Sequence, residues 1–271
     1  MRIVLLSTAA IALSGCSWLG LGGHAGNTYN HANSYGTYKA QPAKPCCNGQ
    51  TLSRWNAELG VGQEFLAGGT LISGDANGIA GVNPAEVSMK NAFEVGDRFD
   101  MGVSYALNPN RKVVLNGHVT SFDGERQFIG TQDGQALNGN ITDFQTYGLE
   151  AGLRQYILPV AVPVVKSVRP YVEGRIGASH VDDINITGVT RASAAGAPTA
   201  SPNFALYDSG WVPTAAGLVG VETPLFNRMT VGVETGLRYS GKLDRVNGGF
   251  AGDNGGGNWT IPVSLRGRYR F

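Results

Sequence analysis

The chain has 271 residues, 40 of them glycine, with 15% charged residues and a formal net charge of +1. So small an imbalance gives no reason to expect a nucleic-acid partner, and abundant glycine with few charges suits an all-β chain rich in turns and loops. No segment past the N-terminus reads as a transmembrane helix, because the longest apolar stretch, Ile157 to Val165, is short and broken by Pro159 and Pro163.

Residues 1–15 are expected to be a signal peptide. Arg2 supplies a short basic region, and Ile3 to Leu13 form an apolar run too short for a bilayer, which needs about 20 residues. Leu13-Ser14-Gly15-Cys16 is similar to the bacterial lipobox at each position. That similarity implies cleavage before Cys16 and acylation of its thiol and new amino group. The other reading is an ordinary secretory signal that happens to hold a cysteine. Ser17, rather than Asp, follows, which by analogy with enteric bacteria permits export to the outer membrane. Residues 16–51 are rich in Gly, Asn, Ala, Tyr and Pro without apolar periodicity, and read as a flexible periplasmic tether. Within it, Tyr29, Tyr35 and Tyr38 read either as linker residues or as contacts to the folded part or to peptidoglycan. Cys46 and Cys47 are adjacent and lack metal-ligand spacing. A strained bridge between them, an intermolecular bridge and free thiols all remain open.

Residues 52–271 form a series of alternating segments. Strand side chains point to opposite faces in turn, so alternation defines two faces. Trp55, Ala57, Leu59 and Val61 oppose Asn56, Glu58, Gly60 and Gly62. Phe99, Met101, Val103, Tyr105 and Leu107 oppose Asp100, Gly102, Ser104 and Ala106. Val113, Leu115 and Val119 oppose Asn116, His118 and Thr120. Tyr147, Leu149, Ala151 and Leu153 oppose Gly148, Glu150, Gly152 and Arg154. Val172, Ile176 and Ala178 oppose Tyr171, Glu173, Arg175 and Ser179. The sixth segment is the least regular, with Ala215, Val219 and Val221 against Ala216, Leu218 and Glu222. Met229, Val231, Val233, Leu237 and Tyr239 oppose Thr230, Gly232, Glu234 and Arg238. In the eighth, Trp259, Ile261, Val263, Leu265, Gly267, Tyr269 and Phe271 oppose Thr260, Pro262, Ser264, Arg266, Arg268 and Arg270. A proline there removes a ladder donor, so a bulge or early curvature is expected at Pro262.

Connections alternate in length. Asn108-Pro109-Asn110-Arg111 and Pro224-Leu225-Phe226-Asn227 are tight, and Leu158 to Ser167 is moderate. The links around Ala67 to Asn91, Asp123 to Thr142, Val181 to Gly210 and Gly241 to Asn258 are long and polar. The expected fold is therefore an all-β, eight-stranded antiparallel up-and-down transmembrane β-barrel with short periplasmic turns and long extracellular loops. An even strand number places both termini at the short-turn end.

With its strand count, its alternating loops and a final Phe271 two residues after Tyr269, the chain from Leu52 onward resembles the OmpA-like and opacity-type superfamily of small outer-membrane barrels. The resemblance implies a location in the outer membrane, contact with its lipid and lipopolysaccharide, and an assembly machinery that reads Phe271 and Tyr269. It leaves the long loops for an extracellular or envelope protein partner. The lipobox, and the lack of a peptidoglycan-binding domain after the barrel, depart from typical members.

Gly148-Leu-Glu150-Ala-Gly152-Leu-Arg154 is echoed by Gly232-Val-Glu234-Thr-Gly236-Leu-Arg238. Glu and Arg four apart on one strand are about 13 Å apart, so each must pair with neighbouring strands. Glu58, Glu173, Arg175, Glu222, Arg266 and Arg268 share their face. In a barrel just wide enough for its side chains to fill, these residues form a crossed charge network. The alternative is a narrow channel for small solutes or hydrophobic ligands, although near balance of the two signs gives no ring to select ions. A lipid A-modifying enzyme is a third reading. His118 lacks a serine two residues on, and His180 could combine with Ser179, but no triad, phosphate loop or zinc motif is present. Asp182 and Asp183 could hold a divalent cation, but two carboxylates are not a site. No cofactor is expected. Replacing Cys16 with alanine should abolish incorporation of radioactive palmitate into the protein; undiminished labelling would remove the lipobox reading.

Overall fold

The computed structural model describes residues 53–74, 81–157, 160–162, 165–192, 199–200, 203–246 and 257–271. The expectations for the signal peptide, the tether, Cys16, Cys46 and Cys47 lie outside the described residues.

Eight long strands form the wall: β1 (Trp55–Gly68), β2 (Gly96–Asn108), β3 (Arg111–Phe122), β4 (Phe144–Tyr156), β5 (Val165–Val181), β6 (Gly210–Phe226), β7 (Met229–Ser240) and β8 (Asn258–Arg270). Each pairs antiparallel with the next. β8 then pairs back onto β1, with Glu58 opposite Arg268 and Gly62 opposite Ser264. The sheet is thus a closed eight-stranded ring with no free edge, so the wall satisfies its backbone internally and can cross a hydrocarbon layer.

Alternation sorts the side chains as the sequence predicts. Leu59, Val61, Met101, Val103, Leu115, Leu149, Ile176, Val219, Val233 and Leu265 are exposed on the outside, while the residues between them turn inward. Aromatic residues collect at both margins of this apolar band. Trp55 packs on Tyr105 (5.0 Å between ring centres) and Tyr269 on Phe271 (5.6 Å) at the short-turn end. Tyr147 and Trp211 flank His180, and Tyr239 packs on Trp259 (5.1 Å), at the other end. Trp259 and Tyr269 lie on one strand. At about 3.4 Å per residue and a tilt of about 40°, their separation spans about 26 Å, the height of a typical barrel's apolar band. Membrane spanning follows from this exterior and from ring closure together.

Pro262 introduces no register shift in β8. It pairs in register with Glu64, and the irregularity on that seam falls instead between Leu66 and Gly68. On the β7 side the recorded pairing skips from Thr235↔Val263 to Arg238↔Thr260. The β7–β8 ladder thus has a gap at Ile261 and Pro262, while the β1–β8 pairing stays in register through the proline.

The largest departure from expectation concerns the long loops. They are not simply polar connections. Short strands at Val82–Pro84, Arg126–Gln132, Gln135–Ile141, Ile184–Arg191, Thr199–Ala200 and Phe204–Tyr207 join into a second sheet, with a smaller pair at Thr70–Ile72 and Val87–Ser88 and a helical turn at Met89–Ala92. Asp133 and Gly134, both at positive φ (50° and 76°), form the two-residue turn of one hairpin, with Gln132 opposite Gln135. Leu71, Ile72, Ile129, Leu137, Ile184, Ile186 and Leu206 are fully or almost fully buried, packed with Phe93, which follows the helical turn, and with Phe122 and Phe144 from the loop-side ends of the wall. Tyr207 donates its hydroxyl to the Leu71 carbonyl (2.8 Å), tying the third long loop to the first, and burial pushes that hydroxyl up to about 12, so it remains a donor at physiological pH. The loop-side end of the barrel therefore carries an apolar cap. At the opposite end, the β4–β5 link continues as a short hairpin in which Val160–Val162 pairs with the start of β5.

Ile186 packs against Gly139, where an added Cβ would meet its Cγ2 at 2.3 Å. Replacing Ile186 with alanine should cost the cap about 2–5 kcal/mol. Faster amide hydrogen exchange across residues 126–141 and 184–191, with unchanged gel mobility of the unheated barrel, is the expected outcome.

Candidate functional site

The inward positions carry the chemistry of this chain. Seven carboxylates (Glu58, Glu64, Asp100, Glu150, Glu173, Glu222, Glu234) and six arginines (Arg98, Arg154, Arg175, Arg238, Arg266, Arg268) are buried in the lumen. Lys112, half-buried at the short-turn end with its ammonium 5.2 Å from the centre of the Tyr156 ring, brings the cations level. Near equality of the signs is what a lumen without bulk water requires, since each unpaired ion there costs several kcal/mol.

The network runs along the barrel axis. Near the short turns, Arg154 forks onto Glu58 (2.8 and 2.9 Å) and also engages Glu173 through Nε. Arg268 reaches Glu58 (3.2 Å) and Glu222, and donates to the Tyr171 hydroxyl (2.9 Å). That hydroxyl donates in turn to Glu234 (2.9 Å), linking this layer to the next. In the middle layer, Glu234 accepts from Arg175 and Arg266, both at 3.0 Å. Arg266 continues to Asn116 (3.1 Å), and Asn116 donates to Asp100 (2.8 Å). Arg98 then grips Asp100 through two nitrogens (2.8 and 2.9 Å) and Glu64 through a third (2.5 Å). Arg238 closes the set on Glu150 (2.9 Å), beside His118. Planar guanidinium forks suit this task because one side chain can satisfy two carboxylates at once.

Glycines make room for these large groups. An added Cβ at Gly152 would meet Arg175 Cγ at 2.8 Å, and one at Gly220 would strike the Tyr171 ring at 2.4 Å. The two echoed motifs meet across the lumen, with Glu150 of β4 opposite Arg238 of β7. Glu234 looks to β5 and β8 instead, and Arg154 to β1 and β5. Glu58, Glu150, Arg154, Glu173, Arg175, Glu222, Glu234, Arg238, Arg266 and Arg268 all lie in the lumen. Sequence reasoning left Glu64 and Arg98 out of the network. Both continue the inward alternation of β1 and β2, one step beyond where the pattern was followed. Asp100 was placed on the inward face but not given a partner.

Tyr269 and Phe271 face outward at the short-turn end, where the Phe271 carbonyl accepts the Ser53 N–H at 2.7 Å. His180 and Ser179 cannot act together, because they lie on opposite faces of β5: His180 stacks on Tyr147 outside, whereas Ser179 is buried inside. Ser179 Oγ instead lies 3.1 Å from His118 Nε2. The further neighbour of that imidazole is the Arg238 guanidinium, not an orienting carboxylate, and both residues sit under the apolar cap. Among the described residues, no group of three or more His, Cys, Asp or Glu could hold a metal ion. A concavity of about 720 Å³ lies on the outer wall, where Ala151, Gly174, Ala215 and Gly217 leave a shallow depression facing lipid.

No family model and no curated protein sequence matches the chain. Solved structures similar to it are membrane barrels. Neisserial surface protein A is 12% identical, covering 82% of this chain and 100% of its own, with a TM-score of 0.43. OprG from Pseudomonas aeruginosa is 11% identical, covering 81% and 97%, with a TM-score of 0.42. The outer membrane protease OmpT from Escherichia coli is 10% identical, covering 83% and 99%, with a TM-score of 0.38. The likeness is one of fold, and the architecture described above stands on its own strand pairing.

Arg154→Ala would strand Glu58 and Glu173 in the lumen, so it should destabilise the barrel by about 3–5 kcal/mol. Arg191 pairs with Asp133 (3.2 Å) at an exposed loop site, and Arg191→Ala should cost less than about 1 kcal/mol. Urea unfolding followed by tryptophan fluorescence compares the two. Equal costs would show the lumen to be freely hydrated.

Proposed function

We propose that this chain is a non-enzymatic barrel of the bacterial outer membrane. In this reading the lumen is plugged by its own charges, and the capped loops serve envelope integrity, surface contact or the anchoring of a partner. The observation that carries it is the crossing of the lumen by Arg154 and Arg238, which engage Glu58 and Glu150 three strands away, and by Arg266 and Arg268, which reach Asp100 and Glu222 two strands away. A solute would have to displace these pairs one after another, and the cap closes the loop-side end above them. An outer-membrane location is supported by the barrel architecture, since closed barrels cross membranes there, and by the expected export signal. Lipid anchoring at Cys16 and recognition of Tyr269 and Phe271 by the assembly machinery belong to the same proposal. So do surroundings of outer-membrane lipid and lipopolysaccharide.

The described part of the cap is acidic. Glu86, Glu94, Asp123, Glu125, Asp133, Asp143, Asp182, Asp183, Asp208 and Asp244 outnumber Lys90, Arg126, Arg191, Lys242 and Arg245. A surface of this sign favours cationic protein partners over polyanions. The Ser179–His118 pair supports packing rather than catalysis, because among the described residues no carboxylate hydrogen-bonds the imidazole and both side chains are buried.

Planar-bilayer recording tests the plug. The protein should give no steady unitary conductance, whereas simultaneous removal of Arg154 and Glu58 should produce openings. Steady conductance of the unaltered protein would favour the channel reading. Lipid A of unchanged mass on overproduction, and no peptide cleavage by the purified barrel, are expected; a lipid A mass change or peptide cleavage that the unaltered protein produces and Ser179→Ala does not would overturn the non-enzymatic assignment.

A further inference from the structure

The sheet of the cap has two faces, and the fold uses one of them. Leu137, Ile141 and Ile186 point from it into the apolar core. The other face is open. It crosses the strands Arg126–Gln132, Gln135–Ile141 and Ile184–Arg191, where Phe128, Asn138 and Thr190 stand opposite one another in one row and Arg126, Asn140 and Thr187 in the next. Phe128 is 47% exposed, and among the described residues of the cap strands it is the one large apolar side chain so exposed. Arg126 and Asn140 are exposed, and Asn138, Thr187 and Thr190 are half-exposed. Arg126 reaches over the middle strand to donate to the Thr190 hydroxyl (2.7 Å). No carboxylate stands in either row. The acidic residues of the cap lie in the connections around this sheet, and Asp133, at the hairpin tip, is paired with Arg191.

From this we infer that the open face of the cap sheet binds an uncharged saccharide chain, with one sugar ring stacked on Phe128 and its hydroxyls held by the amides and hydroxyls around it; the inference deepens the surface-contact reading and rests on it. A sugar ring offers an apolar C–H face and a rim of hydroxyls, each both donor and acceptor. The site answers both halves. Phe128 supplies a flat apolar ring. Asn138 and Asn140 each carry an acceptor and two donors, Thr187 and Thr190 carry hydroxyls, and the Arg126 guanidinium adds further donors to oxygen. The row from Phe128 to Thr190 covers two strand-to-strand steps, about 10 Å, which gives a short oligosaccharide room to lie across the strands. Charge selects the occupant. Carboxylates around the sheet repel polyanions, and a cationic chain would settle on those carboxylates and leave this face empty. A protein partner is favoured by a contiguous apolar patch, which one ring among amides does not provide. The rows ride on strands held by a buried core, so little ordering is lost on binding.

Purified full-length protein in detergent, passed over immobilised neutral oligomers of glucose, mannose, galactose and N-acetylglucosamine, with heparin and polylysine alongside, tests the site. At least one neutral oligomer should retain the protein, and high salt should leave that retention unchanged because no ion pair is involved. Phe128→Ala should weaken it about tenfold and Asn138→Ala about fivefold, whereas Phe128→Tyr, which keeps the ring, should bind as the unaltered protein does. Phe128→Leu keeps an apolar side chain without a ring and should bind as poorly as Phe128→Ala. Phe128 is half in solvent, so these variants should keep the heat-dependent gel mobility of the intact barrel; should Phe128→Ala not, the comparison of Phe128→Tyr with Asn138→Ala carries the test. Retention by heparin or polylysine alone, by none of the neutral oligomers, or equally by Phe128→Leu and the unaltered protein overturns the inference, the last in favour of an apolar protein contact. Labelling of Phe128→Cys on intact cells by a membrane-impermeant maleimide, above the level of the unaltered protein, reports separately on whether the cap faces outward. Its failure would remove the surface reading, while retention of the purified protein still decides whether the face holds a saccharide.

Discussion

Closing eight strands into a ring forces every second side chain into a space that water cannot fill freely, and the pairing of charges in that space governs the rest of the molecule. A ring of this size has room for side chains but not for a solvent column. Arginine and glutamate placed there must neutralise one another or forfeit several kcal/mol per ion. The glycines facing them, the near equality of the two signs and the Tyr171 hydroxyl that links one layer to the next all follow from that requirement. On the outside the constraint is reversed. Only apolar groups can face hydrocarbon, so the same strands present Leu59, Ile176 and Leu265 outward.

The wall was legible in the sequence because a strand repeats every two residues and because both faces of this one are demanding. Trp259 to Phe271 fix their own register by alternation alone. Even the irregular β6 keeps Ala216, Leu218 and Glu222 inside. What the sequence did not disclose is partner choice. Glu150 and Arg154 lie on one face of one strand, yet one pairs with β7 and the other with β1 and β5, as stagger and tilt dictate. Pro262 was expected to distort its strand. The ring absorbs it because pairing is interrupted only on the side toward β7.

The cap was missed for a different reason. Its apolar residues are scattered among Asn, Gly and Thr on strands of two to eight residues, too short for periodicity to stand out. One local cue was present in Asp133-Gly134, a dipeptide suited to the tight turn of a hairpin. With the cap in place, the loop-side end is finished by a hydrophobic core and the interior by ionic pairs. A surface role draws on both, because loops held by their own core can present a fixed contour to a partner.

The seam between β1 and β8 has a bearing on biogenesis. Glu58 meets Arg268, and Thr260 meets Glu64, only when the first and last strands come together. An incompletely zipped sheet would hold these ions without their counterparts and with its two outer strands unpaired. Such an intermediate is poorly tolerated in hydrocarbon, so insertion and closure must be nearly concerted, and the final stitch is the step at which the bilayer accepts the chain.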